Sequence, residues 1–335
     1  MEFQLPINIK VPDKRINYRD KILLAGSCFT EHIGSSLQEL KFSVLQNPNG
    51  ILFDPVSVCK SLQSYIRNDK YTEDDLFQLN EVWNSWDHHS RFSNINREEC
   101  LANINDSQQV AHEFLKQANW LIITLGSSFS YRLTHFTSQP YQMVEKGSKG
   151  VANCHRAPHQ WFAKHLLDIS EIISILENTC HQLKQFNSKL NIIFTISPVR
   201  HIRDGVVENN RSKARLIEAV HHIVEKFEGL YYFPAYELVI DVLRDYRFYD
   251  IDLVHPNYPA TEFVMEKFRE NFIDEESQQL MDEVRRIVIA RKHKAFQPET
   301  NAHKNFLNAH LEMAKDLQQR KPFLDISEEI SYFSS

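Results

Sequence analysis

Ser27, Asp252 and His255 are the residues of this 335-residue chain whose types and spacing suit nucleophilic chemistry. Ser27 stands in Gly26-Ser27-Cys28-Phe29, directly after the apolar run Lys21–Ala25 and before a helical pattern. A serine there faces the cleft at a strand end, where a helix N-terminus adds backbone N–H donors and partial positive charge. Those features suit a nucleophile whose transition state develops an oxyanion. The alternative is a plain helix N-cap in a tight strand–helix turn. Asp252 and His255 form D-x-x-H, followed by Pro256 and Asn257, which make the segment a rigid loop. Histidine suits a serine as its base near neutrality, and an aspartate three residues earlier fixes the imidazole tautomer. Alone, D-x-x-H also describes a surface N-cap with an exposed histidine. Together with a strand-end serine it is more specific than either part.

These residues need a sheet whose strand ends converge. Lys21–Ala25, Phe42–Gln46, Trp120–Thr124, Asn191–Ile196 and Leu230–Phe233 are short apolar runs of the kind buried on both faces. Helical patterns alternate with them: Thr30–Leu40, Pro55–Ile66, Thr72–Leu79, Arg97–Gln117, His159–Gln185, Glu208–Phe227, Ala235–Val242 and Tyr258–Asn271. Glu81–Phe92 reads as an aromatic-rich strand and loop, and Ser130–Val151 as a hairpin. The alternation predicts an α/β fold with a parallel sheet covered on both faces. Ligands in such sheets bind outside the carboxyl ends of the strands. Three of the eight glycines, Gly26, Gly50 and Gly126, lie in the loops after the first three runs. From Asp274 onward the chain is charged, strandless and helical in period, broken at Pro298 and Pro322. We expect residues 1–273 to form the catalytic domain and 274–335 a helical extension.

Composition excludes several classes. Hydrophobic residues make up 42% and charged residues 24%, an ordinary globular balance. The net charge of −6 argues against a broad nucleic-acid footprint. Five cysteines at irregular spacings, with no C-x-x-C, argue against a disulfide scaffold or a cysteine zinc site. No run approaches a membrane span, and MEFQLPINIKVPDKR lacks an apolar signal core. The expectation is a cytoplasmic protein with no membrane or nucleic-acid partner.

The ordered motifs GSCF (26–29), NPNGILFDP (47–55), WDHHSRF (86–92), TLGSSFSYR (124–132), ANCHR (152–156), SPVRH (197–201) and RDYRFYDIDLVHPN (244–257) resemble the GSCFA-domain family of the SGNH (GDSL-like) hydrolases. The resemblance runs from about Asp20 to Phe272 and leaves out the C-terminal tail. It implies a flavodoxin-like three-layer α/β/α sandwich and a serine esterase acting on small acyl esters, such as O-acetyl groups on carbohydrates. By resemblance Ser27 is the nucleophile, His255 the base and Asp252 its orienting partner. Backbone N–H groups of Ser27 and Gly50 are the implied oxyanion donors. The superfamily's third block, G-x-N-D, departs here: Ser128 stands where the third donor, an asparagine, is expected. Asn47, Asn49 and Asn153 are the other amides that could replace it.

Other residues carry competing roles. Cys28 is either a second nucleophile or a small buried residue at the helix start, and we favour the latter. His88, His89 and His155 could gather a metal, but adjacent histidines diverge; no metal or cofactor is expected. With Asn153, Trp83, Trp86 and Arg91 they are expected to line the cleft, or else to pack a structural loop. Arg200 and His201 follow the fourth run and could bind substrate or pair with Asp204 or Glu208. The expected reaction is acyl-ester hydrolysis. Acyl transfer at the same site and a non-catalytic carbohydrate- or acyl-ligand-binding protein are the alternatives.

Overall fold

The computed structural model describes residues 5–134 and 150–334. Five runs form the central sheet, three buried in its middle, β1 (Lys21–Gly26), β5 (Trp120–Leu125) and β9 (Asn191–Ile196), and two half-buried or exposed at its edges, β2 (Ser43–Gln46) and β10 (Leu230–Phe233). All their pairings are parallel, in the order β10-β9-β5-β1-β2. Counted in chain order among these five strands, this is 2-1-3-4-5, the flavodoxin-like doubly wound arrangement. The topological switch point falls between β1 and β5, where connections leave in opposite directions.

Side-chain alternation divides each run between two cores. Ile22, Leu24, Ile122 and Ile193 face α1 (Cys28–Glu39) and α7 (Tyr258–Phe272). Leu23, Leu121, Ile123 and Phe194 face the other layer, α2 (Pro55–Arg67), α3 (Arg97–Gln117), α4 (Ile169–Phe186) and α5 (Gly205–Lys226). Both faces are covered, which is why these strands read as continuous apolar runs. A short α6 (Ala235–Glu237) continues as a π-helical turn, Leu238–Leu243.

Two expected helices are partly strands. Thr72–Leu79 begins with a single 3-10 turn capped by Thr72 and Asp75, then becomes β3 (Leu76–Leu79). It pairs with β4 (Val82–Ser85) through Asn80 and Glu81, both at positive φ, a two-residue hairpin turn. His159–Gln185 contains β8 (Phe162–Leu166) before α4 starts at the Asp168/Glu171 capping box. β8 lies antiparallel on β6 (Phe129–Leu133), which also pairs with β7 (Gly150–Val151). The middle of the expected Ser130–Val151 hairpin lies outside the described residues.

The tail is helical: α8 (Glu275–Lys292), α9 (Asn301–Arg320) and α10 (Ser327–Phe333). It is more than an appendage, because Met281, Val284, Val288, Leu317 and Phe333 join the α1/α7 core. Buried Glu329 of α10 pairs with Lys41 at 3.0 Å and Arg291 at 3.5 Å. Among the described residues no helix is long and apolar enough to cross a membrane.

At the switch point, Gly26 has φ +147°, and a Cβ there would lie 2.2 Å from the Thr124 carbonyl oxygen. Gly26→Ala is therefore expected to cost on the order of 3 kcal/mol or more, combining backbone strain with a clash against rigid backbone. Urea unfolding measures it; a loss below about 1 kcal/mol would show that β1 and β5 can move apart.

Candidate active site

β1 ends in Gly26 because only a residue without Cβ can lie this close to β5. The chain then turns into α1, with Ser27 at the N-cap. Gly26 N–H donates to Asn47 Oδ1 at 2.9 Å, and Ser27 N–H to Thr124 O at 3.0 Å. The turn after β1 is thus tied to the loop beyond β2 and to the end of β5. Ser27 makes no side-chain capping bond, and its Oγ is buried without a hydrogen-bond partner. That removes the N-cap explanation for the residue, since an unpaired buried hydroxyl is costly.

The loop after β5 comes in from the other side. Gly126 N–H and Ser127 N–H both donate to Phe53 O, at 2.7 and 3.1 Å. A Cβ on Gly126 would sit 3.3 Å from Ser27 Cβ. The Phe53 ring packs against His201, 5.7 Å between centroids. Loops following β1, β2, β5 and β9 therefore meet around Ser27.

The Asp252/His255 loop joins them through Arg200. Arg200 N–H donates to Val254 O at 3.2 Å, and its Nη1 to Leu253 O at 3.2 Å. Its guanidinium lies over Tyr249, 4.1 Å from the ring centroid. Arg200 thus braces the loop, and the expected pairing with Asp204 or Glu208 does not form. Within the loop, Asp252 Oδ1 accepts from Val254 N–H (2.9 Å) and His255 N–H (3.0 Å). Asp252 Oδ2 lies 2.6 Å from His255 Nδ1. The imidazole bond, then the two backbone N–H groups, pull the Asp252 carboxyl down to about 2. With Nδ1 turned to a carboxylate, Nε2 is the nitrogen left with a lone pair to act as base. His255 also reaches α1: burial first, and then the neighbouring His255, hold the His32 imidazole below its ordinary range. Asp252 and His255 side chains are each 45% exposed, whereas Ser27 is 3% exposed. No hydrogen bond links His255 to Ser27.

The expected oxyanion donors are engaged elsewhere. Ser27 N–H is held by Thr124 O, and Gly50 N–H closes a turn onto Asn47 O at 2.7 Å. Ser128 is fully buried and its Oγ donates to Ser212 O of α5 at 3.1 Å. It packs behind the loop because Ser212 offers a carbonyl and a hydroxyl there. Of the three amides, Asn49 Nδ2 is bound to Asp87 O at 3.1 Å, and Asn153 Oδ1 caps His155 N–H. Asn47 is closest to Ser27 in the network, and its Nδ2 has only a long 3.4 Å contact to Glu31 Oε1. The N–H groups of Cys28 and Phe29, in the first turn of α1, have no intrahelical acceptor.

The histidine-rich motifs divide. His88 is buried, bonded through Nδ1 to Ser85 Oγ at 3.0 Å, and burial pushes its imidazole down to about 4. His155 is bound to Ser85 O at 2.8 Å and packs edge-on to Phe77 and Trp86. His88 and His155 are thus both held by Ser85, and Asn153 by the His155 backbone. His89 stands over Gly50, whose added Cβ would lie 2.2 Å from His89 Cβ. His201 reaches the Gly126 backbone, and burial, then Lys213, push it down to about 4. Burial raises the Cys28 thiol, which disfavours a thiolate nucleophile. Among the described residues no three His, Cys, Asp or Glu side chains converge to hold a metal.

Lys213 is the residue that motif reading missed. From α5 it donates to Gly126 O and Ser197 O, both at 2.6 Å, clamping the ends of β5 and β9. It is fully buried with no carboxylate partner among the described residues, and burial pushes it down to about 7. Lys213 holds the carbonyl of Gly126, the residue that packs against Ser27. A sequence signal exists: Lys213 shares a helical stripe with Leu216, Val220 and Ile223, all buried.

Two predictions follow from this geometry. His255→Ala removes the largest influence on Asp252, so its carboxyl titration should rise from about 2 toward the ordinary aspartate range. Carboxyl-carbon NMR reads it; an unmoved titration would dissolve the pair. Lys213 has a folded pKa of about 7, below its unfolded value of about 10.4, so the unfolded chain binds more protons between the two. Stability should therefore rise from pH 7 to 8.5, and Lys213→Met should flatten that rise. Urea unfolding at both pH values decides it, and an equal slope in the variant counts against a lysine that deprotonates in place.

Comparison with known proteins supports a family assignment for both parts of the chain. No curated protein matches it. The model of the "GSCFA family" matches residues 21–268, and that of the "GSCFA domain protein, C-terminal domain" matches residues 284–335. The first span contains the five-stranded sheet and every loop described above, so the chain belongs to the GSCFA family.

Proposed function

We propose that this protein is a serine-dependent acyl-ester hydrolase of the SGNH type, acting on a small acyl ester such as an O-acetylated carbohydrate. The observation that carries the reading is the 2.6 Å Asp252–His255 contact on a loop braced against the strand ends that surround Ser27. Ser27 Oγ is unpartnered, as are the Thr30 and Thr124 hydroxyls, but Ser27 is the one at the strand end that opens α1.

In the proposed reaction, rotation about Ser27 χ1 brings Oγ toward His255 Nε2. Oγ attacks the ester carbonyl as Nε2 takes its proton, and Asp252 stabilises the imidazolium. Cys28 N–H, Phe29 N–H and Asn47 Nδ2 replace the expected donors at the oxyanion, with the α1 N-terminus adding favourable potential. His255 returns the proton to the leaving alcohol. Water, activated by the same imidazole, then releases the acyl group. A second alcohol in place of water would make the enzyme an acyltransferase. No cofactor enters the scheme.

The engagement of Ser27 N–H, Gly50 N–H and Ser128 Oγ favours a second reading, a binding protein that does not turn over. Covalent labelling separates the two. A fluorophosphonate probe should label the wild-type chain and leave Ser27→Ala unlabelled with an unchanged melting temperature. Labelling that persists in Ser27→Ala and disappears in Cys28→Ala would transfer the role to the thiol. An unlabelled wild-type chain would favour the binding protein.

A further inference from the structure

A groove of about 590 Å³ lies between α8 and α9, in the C-terminal helices, and is lined by none of Ser27, Asp252 and His255. This volume falls in the range of small-molecule sites. Two helical stripes build it. α8 and its C-cap supply Asp282, Arg285, Arg286, Ile289, Ala290 and His293, at the three- and four-residue spacing of one helix face. α9 supplies Phe306, His310 and Met313 on the same spacing. His310 Nδ1 donates to Phe306 O at 2.8 Å, and the two rings lie 4.2 Å apart. Ile289, Ala290, Phe306 and Met313 give the groove an apolar lining, and Ile289 and Met313 are exposed despite their size. Apolar surface gathered in one open place marks a binding site, whereas single scattered residues do not.

The charges left free beside this lining are of one sign. Asp282 is its one carboxylate, and Arg269 occupies both oxygens, at 2.6 and 2.7 Å. Arg285 and Arg286 make no ion pair among the described residues. The local sequence has the same bias: residues 284–298 carry five lysines and arginines and no carboxylate, in a chain of net charge −6. An alkylammonium would be repelled by the two guanidiniums. A sugar would leave them without a counter-charge, and a polyphosphate would leave the apolar lining wet. An alkyl chain that ends in a carboxylate satisfies both features. Its methylenes bury the apolar surface, and its oxygens accept charge-assisted hydrogen bonds from a guanidinium fork. From Asp282 to His293 the helix extends about 16 Å at 1.5 Å per residue, room for a chain of roughly a dozen carbons.

We propose that the α8/α9 groove binds a free long-chain carboxylate, a fatty acid, with its alkyl chain on Ile289, Phe306 and Met313 and its carboxylate on Arg285 or Arg286. The site is separate from the candidate active site and stands whether or not Ser27 is a nucleophile. Calorimetric titration of the full chain with dodecanoate, below its micelle concentration, tests it. Acetate lacks the tail, dodecanol lacks the charge, dodecyltrimethylammonium reverses the charge, and phosphatidylglycerol vesicles present an anionic lipid surface. Dodecanoate should bind saturably, and about tenfold or more tighter than acetate, dodecanol or dodecyltrimethylammonium. Arg285→Gln with Arg286→Gln, and separately Met313→Asp, should each weaken dodecanoate binding by about tenfold or more. Met313 lines this groove from α9, so its variant separates binding here from binding elsewhere on the chain. Circular-dichroism melting shows whether the variants fold; should Met313→Asp fail to fold, the arginine pair decides. Overturning results are no saturable dodecanoate binding, unchanged affinity in the folded variants, equal binding of dodecanol or dodecyltrimethylammonium, or binding to the vesicles alone, which would make this face a membrane contact instead.

Discussion

The contact of Gly26 with the Thr124 backbone is the constraint on which the site depends. At 2.2 Å from the carbonyl oxygen, the place of a Cβ is already taken. β1 and β5 therefore stay together to their last residues, although their connecting helices lie on opposite faces. The following residue, Ser27, emerges where the two loops diverge. Its own N–H is consumed by Thr124 O, which extends the sheet's hydrogen bonding one residue past β1. The same feature that positions Ser27 so firmly also removes it as an oxyanion donor. Positioning and donation compete for one N–H, and in this structure positioning has it.

The converging loops bring strand-end carbonyls together, and Lys213 is the answer to that crowding. Two carbonyl oxygens, Gly126 O and Ser197 O, point at one place, and a single ammonium satisfies both. Burying that ammonium is unfavourable, as its depressed pKa records. A neutral side chain would leave two carbonyls unpaired, each with its own desolvation cost. The clamp also puts positive charge behind Gly126, the residue that packs against Ser27, and the helix dipole at the start of α1 has the same sign. Any anion formed at Ser27 Oγ would be favoured by both. Electrostatic support for the proposed chemistry thus comes from a lysine outside the sequence motifs around Ser27 and His255.

The middle of the sheet was legible because parallel strands buried on both faces leave nearly continuous apolar runs, as in β1, β5 and β9, and the half-buried edge runs of β2 and β10 also became strands. The misses have physical causes. Phe162, Leu166 and Leu167 lie at helical spacing, but β8 is an edge strand of a small antiparallel sheet with Ala163 and Lys164 exposed. The Asp168/Glu171 capping box marked the true helix start inside the expected one. Leu76–Leu79 carried no clear period; its strand state comes from the Asn80–Glu81 turn and from Phe77 stacking on Trp86 at 3.6 Å. For the site, D-x-x-H was legible because the spacing lets one carboxylate serve both the imidazole and the loop backbone. His88 and His155 both bond to Ser85 and pack against aromatic rings, contacts that motif spacing alone does not reveal. The roles of Ser128 and Lys213 depend on α5, whose Ser212 and Lys213 lie more than eighty residues beyond Ser128, and no local pattern connects them.

The C-terminal helices alter what the sheet-bearing part of the chain can be. Their apolar residues continue the core formed by α1 and α7, the two helices that carry the site's N-terminal turn and follow its D-x-x-H loop. Glu329 is held between Lys41, just beyond α1, and Arg291 on α8, so the last helix is fastened to the end of the helix whose other end presents Ser27. A buried carboxylate with two cations is hard to break, because losing either cation leaves the charge poorly compensated. The tail therefore does not hang from a finished domain. It fixes the far end of α1, coupling the geometry at Ser27 to residues three hundred positions away.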